Sequence, residues 1–330
     1  MTLVSNSYDS FKQWTQGHKV RVGIWRRKLK WWMSARMLIV FLLALVSVEV
    51  VVYCIANATW LLEQEYRNQF GPEAGRHSNV VKLTSSDLLR IEGGELEHDD
   101  TMLLHYIQQR VLYPPNTPYN LIEPSREDYS RGGQSILIDK VLSSMHHGFF
   151  VEVGAGTGEN KSNSLFFERH RNWTGLLVEP HPQDFRTLLR KGRRAYHLDM
   201  CLSPDNTTSV RKLRAMKGQM SGLRGYLDKL HTGYDITQNP AYQGELSVQC
   251  VPLAAVMDAL GIRSIDYLSL DVEGAELDVL KTIPFDKLDI SVISAEYLHN
   301  DKNALKKFME SQGFVVNVTL AEDDVPWSQW

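Results

Sequence analysis

Cysteine is scarce in this chain, with three among 330 residues. That is too few for a disulfide scaffold or a Cys-rich zinc module, and no His or Cys spacing supports a zinc site. Internal repeats and low-complexity tracts are absent. Neither sign of charge is in marked excess: 36 basic residues nearly balance 39 acidic ones, leaving −3, and 43% of residues are hydrophobic. This composition excludes a disordered or collagenous protein. A mean hydropathy of −0.27 also excludes a polytopic membrane protein, because several spans would push the average positive. Long hydrophobic runs are absent but for one.

That run marks a partition of charge. Residues 1–36 hold eight basic residues and a single acid, Asp9, a net of +7, so the remaining 294 carry −10. The second of these begins with 37–56, MLIVFLLALVSVEVVVYCIA, whose one charge is Glu49. Twenty residues at about 1.5 Å each span a hydrocarbon core of about 30 Å. Trp31, Trp32 and Trp60 suit the two interfaces. A cleaved signal peptide would use Ala56-Asn57-Ala58, but its basic prelude and apolar run would both be overlong. A buried core helix fits poorly beside WRRKLKWW. The excess of Lys and Arg before the span predicts a type II signal-anchor: 1–36 cytoplasmic, 37–56 in the bilayer, the rest lumenal or extracellular. ER, Golgi, endosome and plasma membrane are the candidate locations.

In an oxidising compartment Cys201 and Cys250 form an even pair, either a disulfide closing a loop of about 50 residues or two buried thiols. Asn172, Asn206 and Asn317 open glycosylation sequons on the same side. Asn160 also opens one, within a loop assigned below to ligand binding.

Residues 57–130 read as a polar stem with turn signals and one helix at 100–112, stopped by Pro114-Pro115. From 131 to 330 the rhythm changes. Strands are expected at 149–153, 175–179, 195–198, 265–270, 290–296 and 314–320, and helices at 134–145, 162–170, 182–191, 253–260, 275–281 and 302–311. Such alternation specifies a doubly wound, mostly parallel α/β sheet, whose ligands bind outside the carboxyl ends of the strands where strand order reverses. The stretch 203–248 reads as variable loops suited to substrate choice. The basic cluster Arg186, Arg190, Lys191, Arg193 and Arg194 reads as a solvated helix face, and His146-His147 as the wet end of a helix. Nucleic acid is not an expected partner, given the −10 beyond residue 36.

The first strand of that region runs into Gly154-Ala-Gly156-Thr-Gly158-Glu159. A dinucleotide fingerprint needs its third glycine where Glu159 stands. G-x-G-x-G, with Glu152 two residues before, instead suits a ligand with an ammonium group and no pyrophosphate, such as S-adenosylmethionine (SAM). Glu179, 25 residues after Gly154, ends the second strand where an acid can accept from ribose hydroxyls; the bland alternative is a capping acid beside a tight turn. Asp271 is delivered to the crevice by the apolar strand IDYLSL, and Glu296 ends another strand likewise. Asp271 and Glu296 are the candidate bases. Asp271, Glu273 and Glu296 alternatively suit a divalent cation, although no metal is required, and Glu276 suits a first-turn stabiliser.

The blocks FVEVGAGTGE, SNSLFFE, GLLVEP, SLDVEGAE and ISAEY, in that order, resemble the FkbM-type class I methyltransferases over roughly 130–320. With the anchor, they look closer still to the membrane-anchored animal branch that includes the insect protein Star. The resemblance implies a Rossmann-like, SAM-binding fold and O-methylation of an unidentified acceptor. It implies Glu152, Gly154 and Gly156 by the methionine moiety with Gly158 in the same loop, Glu179 by the ribose, and Asp271 near the transferable methyl. For the Star branch it implies a non-catalytic trafficking factor that binds growth-factor precursors as secretory cargo. Two departures stand out: Ser269 occupies a position where the family commonly has Lys, and AEDDVPWSQW lacks the usual long final strand.

Overall fold

The computed structural model describes residues 83–94, 96–230, 235–296, 301–316 and 324–329. The basic tail, the expected anchor at 37–56, Asn317 and the stem before residue 83 lie outside the described residues. Among the described residues no helix is long and apolar enough to cross a membrane.

In chain order the elements are α1 (Ser85–Gly93), α2 (Thr101–Arg110), α3 (Gln134–Val141), β1 (Phe149–Val153), α4 (Leu165–His170), β2 (Thr174–Val178), α5 (Pro182–Leu189) and β3 (Tyr196–Leu198). An insert follows, of β4 (Cys201–Leu202), β5 (Ser209–Met216), β6 (Gly222–Leu223), α6 (Leu227–Leu230) and β7 (Tyr242–Val251). The chain then resumes with α7 (Leu253–Leu260), β8 (Ser264–Leu270), α8 (Glu276–Lys281), β9 (Asp289–Glu296), α9 (Lys302–Ser311), β10 (Phe314–Val316) and β11 (Asp324–Gln329).

Seven strands form one sheet in the order β10-β11-β9-β8-β1-β2-β3. The pairings β9-β8-β1-β2-β3 are parallel, and β11 runs antiparallel to both its neighbours. Strand side chains alternate between faces, so each strand feeds two cores. Val151, Val153, Leu268, Leu270 and Ile293 pack with residues of α1, α2, α7, α8 and α9, while Phe150, Leu177, Tyr267 and Val292 pack with α3, α4 and α5. Apolar residues on both faces make β1, β8 and β9 continuous hydrophobic runs, as parallel sheets covered on both sides require. The mostly parallel α/β sheet with helices on both faces that the sequence specifies is the one observed.

Three features differ from expectation. Residues 203–248 are not loop alone: β5, β6 and most of β7 lie there, and β4-β7-β5-β6 form a second sheet with β5 antiparallel to β7. The C-terminus does carry a final strand, β11, although its sequence reads as lacking one. Finally, the described part of the stem packs into the domain. Ile91, Leu103, Ile107 and Val111 belong to the main core, and the Thr208 hydroxyl donates to the Ile91 carbonyl. α2 begins where expected, with the Asp100 side chain accepting from Met102 N at 2.8 Å.

Candidate functional site

Strand order reverses between β1 and β8, and the glycine turn leaves β1 at that point. Gly154 has φ +79°, and a Cβ there would lie 2.0 Å from the Asp271 carbonyl oxygen, so no side chain fits between the two strand ends. Gly156 (φ +52°) donates its N–H to Glu179 Oε2 at 2.7 Å. Gly158 differs. A Cβ there would meet Leu188 Cδ1 at 2.2 Å, so this glycine permits helix packing, and it does not line the cleft.

Glu152 is buried and accepts from Ser162 Oγ at 2.9 Å, from Asn163 N at 2.8 Å and from the Ser164 hydroxyl. Its carboxylate therefore pins the far end of the glycine loop. From the other side Arg193 grips the same loop. Its guanidinium, fully buried, pairs with Glu168 at 2.9 Å and donates to Gly158 O at 2.6 Å and Ser164 Oγ at 2.8 Å. Lys191, also buried, pairs with Glu159 at 2.6 Å, whose carboxylate accepts from Ile122 N and Glu123 N. These two cations correct the solvated-face reading; Arg186, Arg190 and Arg194 are exposed. His146 and His147 are exposed too, beyond the end of α3.

Glu179 accepts from Gly156 N and from His181 N, both at 2.7 Å. Burial, only partly offset by these bonds, pushes its pKa up to about 7. Each oxygen retains acceptor capacity for a ligand.

Across the switch point stand four acids. Asp271 follows β8, Glu296 ends β9, and Glu276 opens α8, fully buried and accepting from Val272 N at 2.7 Å and Gly274 N at 3.0 Å. Glu276 thus organises the turn it was expected to stabilise. Glu273 sits in the left-handed region at φ +55°, and its pKa is raised to about 8 by burial, then by Asp271 and Glu276. Ser269 is buried beneath this group, accepting from Asn163 Nδ2 at 2.9 Å.

The insert covers the turn. Gln219 Nε2 donates to Thr157 Oγ1 at 3.2 Å and to Asn160 O at 3.3 Å, while Asn160 Nδ2 donates back to Gln219 Oε1 at 3.1 Å. Sequence reasoning missed this latch because 203–248 read as loops. The Asn160 sequon nitrogen is engaged in it. Asn172 and Asn206 are exposed. Cys201 and Cys250 face each other on paired β4 and β7 and are joined as a disulfide, closing a separation of 49 residues.

Together these residues bound a cleft of about 290 Å³. Glu152, Gly154, Gly156, Glu179, Asp271 and Glu296 all line it, as do Asp184, Glu273, Arg131 and Lys161. Acids outnumber cations, so a cationic ligand is favoured. A larger cleft of about 410 Å³, lined by His98, Asp258, Arg263 and Lys287 among others, lies near the opposite ends of β8 and β9, away from the switch point.

No curated protein matches the sequence. Among solved structures, an FkbM methyltransferase from Methylobacillus flagellatus KT is 13% identical, with a TM-score of 0.35, covering 55% of this chain and 43% of that one. The chain thus spans less than half of that protein. A precorrin-6y C5,15-methyltransferase from Geobacter metallireducens GS-15 is 12% identical, with a TM-score of 0.33, covering 59% of this chain and 87% of that one. At such scores neither likeness carries a conclusion about reaction or substrate. The methyltransferase FkbM domain profile, however, matches residues 152–316, half of the sequence and the segment that builds the cleft, and the chain belongs to that family.

Proposed function

We propose that the chain is a membrane-anchored, SAM-dependent O-methyltransferase of the secretory pathway, held by 37–56 with its catalytic domain lumenal or extracellular. The observation that carries this reading is the cleft at the strand-order reversal, where Gly154, Gly156, Glu179 and Asp271 converge. Its acidic lining fits a ligand with ammonium and sulfonium charges, and the bare backbone at Gly154 and Gly156 lets such a ligand approach closely. When bound, SAM supplies a methyl group on a positively charged sulfur. Glu179 holds the ribose end through its remaining lone pairs. Glu152 and Arg193 keep the glycine loop in place without needing to touch the ligand. Asp271 and Glu296 orient an acceptor hydroxyl and take its proton as the methyl oxygen bond forms, leaving S-adenosylhomocysteine.

The disulfide favours a second reading. A Cys201–Cys250 bond belongs to an oxidising compartment, whereas SAM is made in the cytosol, so the domain would there serve as a Star-like module that binds secretory cargo. Release of S-adenosylhomocysteine by the detergent-solubilised full chain, supplied with SAM and a secretory-membrane extract, separates the two. Product above that of a Gly154→Ala control supports the enzyme; SAM binding with no product over that control overturns turnover and leaves the cargo module.

A further inference from the structure

The acids beyond β8 and β9 are gathered at one spot. One carboxylate oxygen from each of Asp271, Glu276 and Glu296 lies within 4.8 Å of the others, and Glu276 and Glu296 are buried. Asp271 and Glu296 reach this spot because β8 and β9 are parallel, with Ser269 opposite Ser294, two residues earlier on each strand. Glu276 is aimed there by the two backbone N–H groups it accepts from. Oxygens up to 4.8 Å apart can lie across one ion with metal–oxygen bonds of about 2.3–2.6 Å, the calcium range; magnesium, at about 2.0–2.1 Å, would require the cluster to contract.

A second observation is independent of the acids. Asn163 lines the same cleft and is buried, with Nδ2 donating to Ser269 on the strand that leads to Asp271. Its Oδ1 has no hydrogen-bond partner among the described residues. A buried acceptor left unsatisfied is unfavourable, and an amide carbonyl oxygen is one of the ligand types a hard cation takes.

We infer that the acceptor side of the cleft is a divalent-cation site of calcium type, with Asp271, Glu276 and Glu296 supplying anionic oxygens and Asn163 a neutral one. Its role rests on the methyl-transfer reading. The cation holds the acceptor hydroxyl and acidifies it so that its proton passes to water; with the site filled, Asp271 and Glu296 act as its ligands, and this replaces direct proton transfer to either carboxylate.

Calcium chloride and, separately, magnesium chloride titrated calorimetrically into the chelator-treated full-length chain test the site. The expected result is one Ca²⁺ per chain, with affinity at least tenfold weaker in Asp271→Asn and Glu296→Gln and reduced in Asn163→Ala. Glu296→Gln keeps the side chain's size and shape, and its cation-free melting temperature, expected within a few degrees of the parent chain's, separates lost binding from lost fold. No heat at about 10 mM Ca²⁺, above the weak end of protein calcium sites, would overturn the inference, as would undiminished binding in both carboxylate variants or binding of Mg²⁺ alone. SAM titrated in chelator reads the cofactor separately. SAM binding without Ca²⁺ binding removes only the cation site, and Ca²⁺ binding without SAM binding removes only the cofactor reading.

Discussion

Glu179 couples the cofactor end of the cleft to pH. Its folded pKa, about 7 against an ordinary 4.5, means that between those values the folded chain holds a proton that the unfolded chain has lost. This residue's contribution to stability therefore falls as pH rises from about 4.5 to about 7 and is level beyond that window. Ribose hydroxyls donate hydrogen bonds and favour the ionised carboxylate. SAM affinity should accordingly rise with pH by up to about tenfold per unit below pH 7, with proton release measurable by calorimetry in buffers of different ionisation enthalpy. Glu179→Gln should flatten both trends. Arg193 gives a stability counterpart. Because Arg193→Met leaves Glu168 buried and unpaired, it should destabilise the fold by about 3–5 kcal/mol in denaturant titrations, whereas Arg194→Met, at an exposed position, should change it by less than about 0.5 kcal/mol. Gly154, Glu179 and Asp271 were legible in the sequence, since each ends an apolar run. Arg193 was not: four basic neighbours suggest a wet helix face, whereas Arg193 lies beyond the end of α5 and its partner Glu168 comes from α4.

At the scale of elements, the central strands were readable because burial on both faces writes them as continuous apolar runs. The insert was not, because the first four residues of β5 and the first six of β7 alternate half-buried with exposed positions and burial comes only at the ends of the strands, a weaker signal that turn residues interrupt. β11 was missed for another reason. Pro326 interrupts its strand pattern, yet in the sheet Pro326 pairs only with Ser294 of β9, beyond the end of the β10 pairing, a place where a missing N–H is tolerated. The insert's integrity depends on the bond between β4 and β7. Reduction, or Cys250→Ser, should lower stability by about 4 kcal/mol for a loop of this length in the chain-entropy model, read as a lower midpoint in urea. Midpoints unchanged by reductant would indicate that the pairing of β4 with β7 holds without the sulfurs.

Across the whole molecule, the apolar run 37–56 separates a segment of +7 from one of −9, and the proposed orientation follows from the basic excess before the run. In sealed microsomes, external protease should trim only the short basic tail and leave a large protected C-terminal fragment. Loss of that fragment would reverse the orientation and place the disulfide in a reducing compartment. The central claim is narrower: the glycine turn, Glu179 and Asp271 form one SAM site. Its most direct measurement is a calorimetric titration of SAM into the full-length chain at pH 8, beside Gly154→Ala, whose Cβ has no room against the Asp271 carbonyl. One SAM per chain, lost or weakened more than about a hundredfold in the variant, an energetic difference of about 2.7 kcal/mol, is the expected result; no heat with millimolar SAM, or equal affinity in both chains, would contradict it.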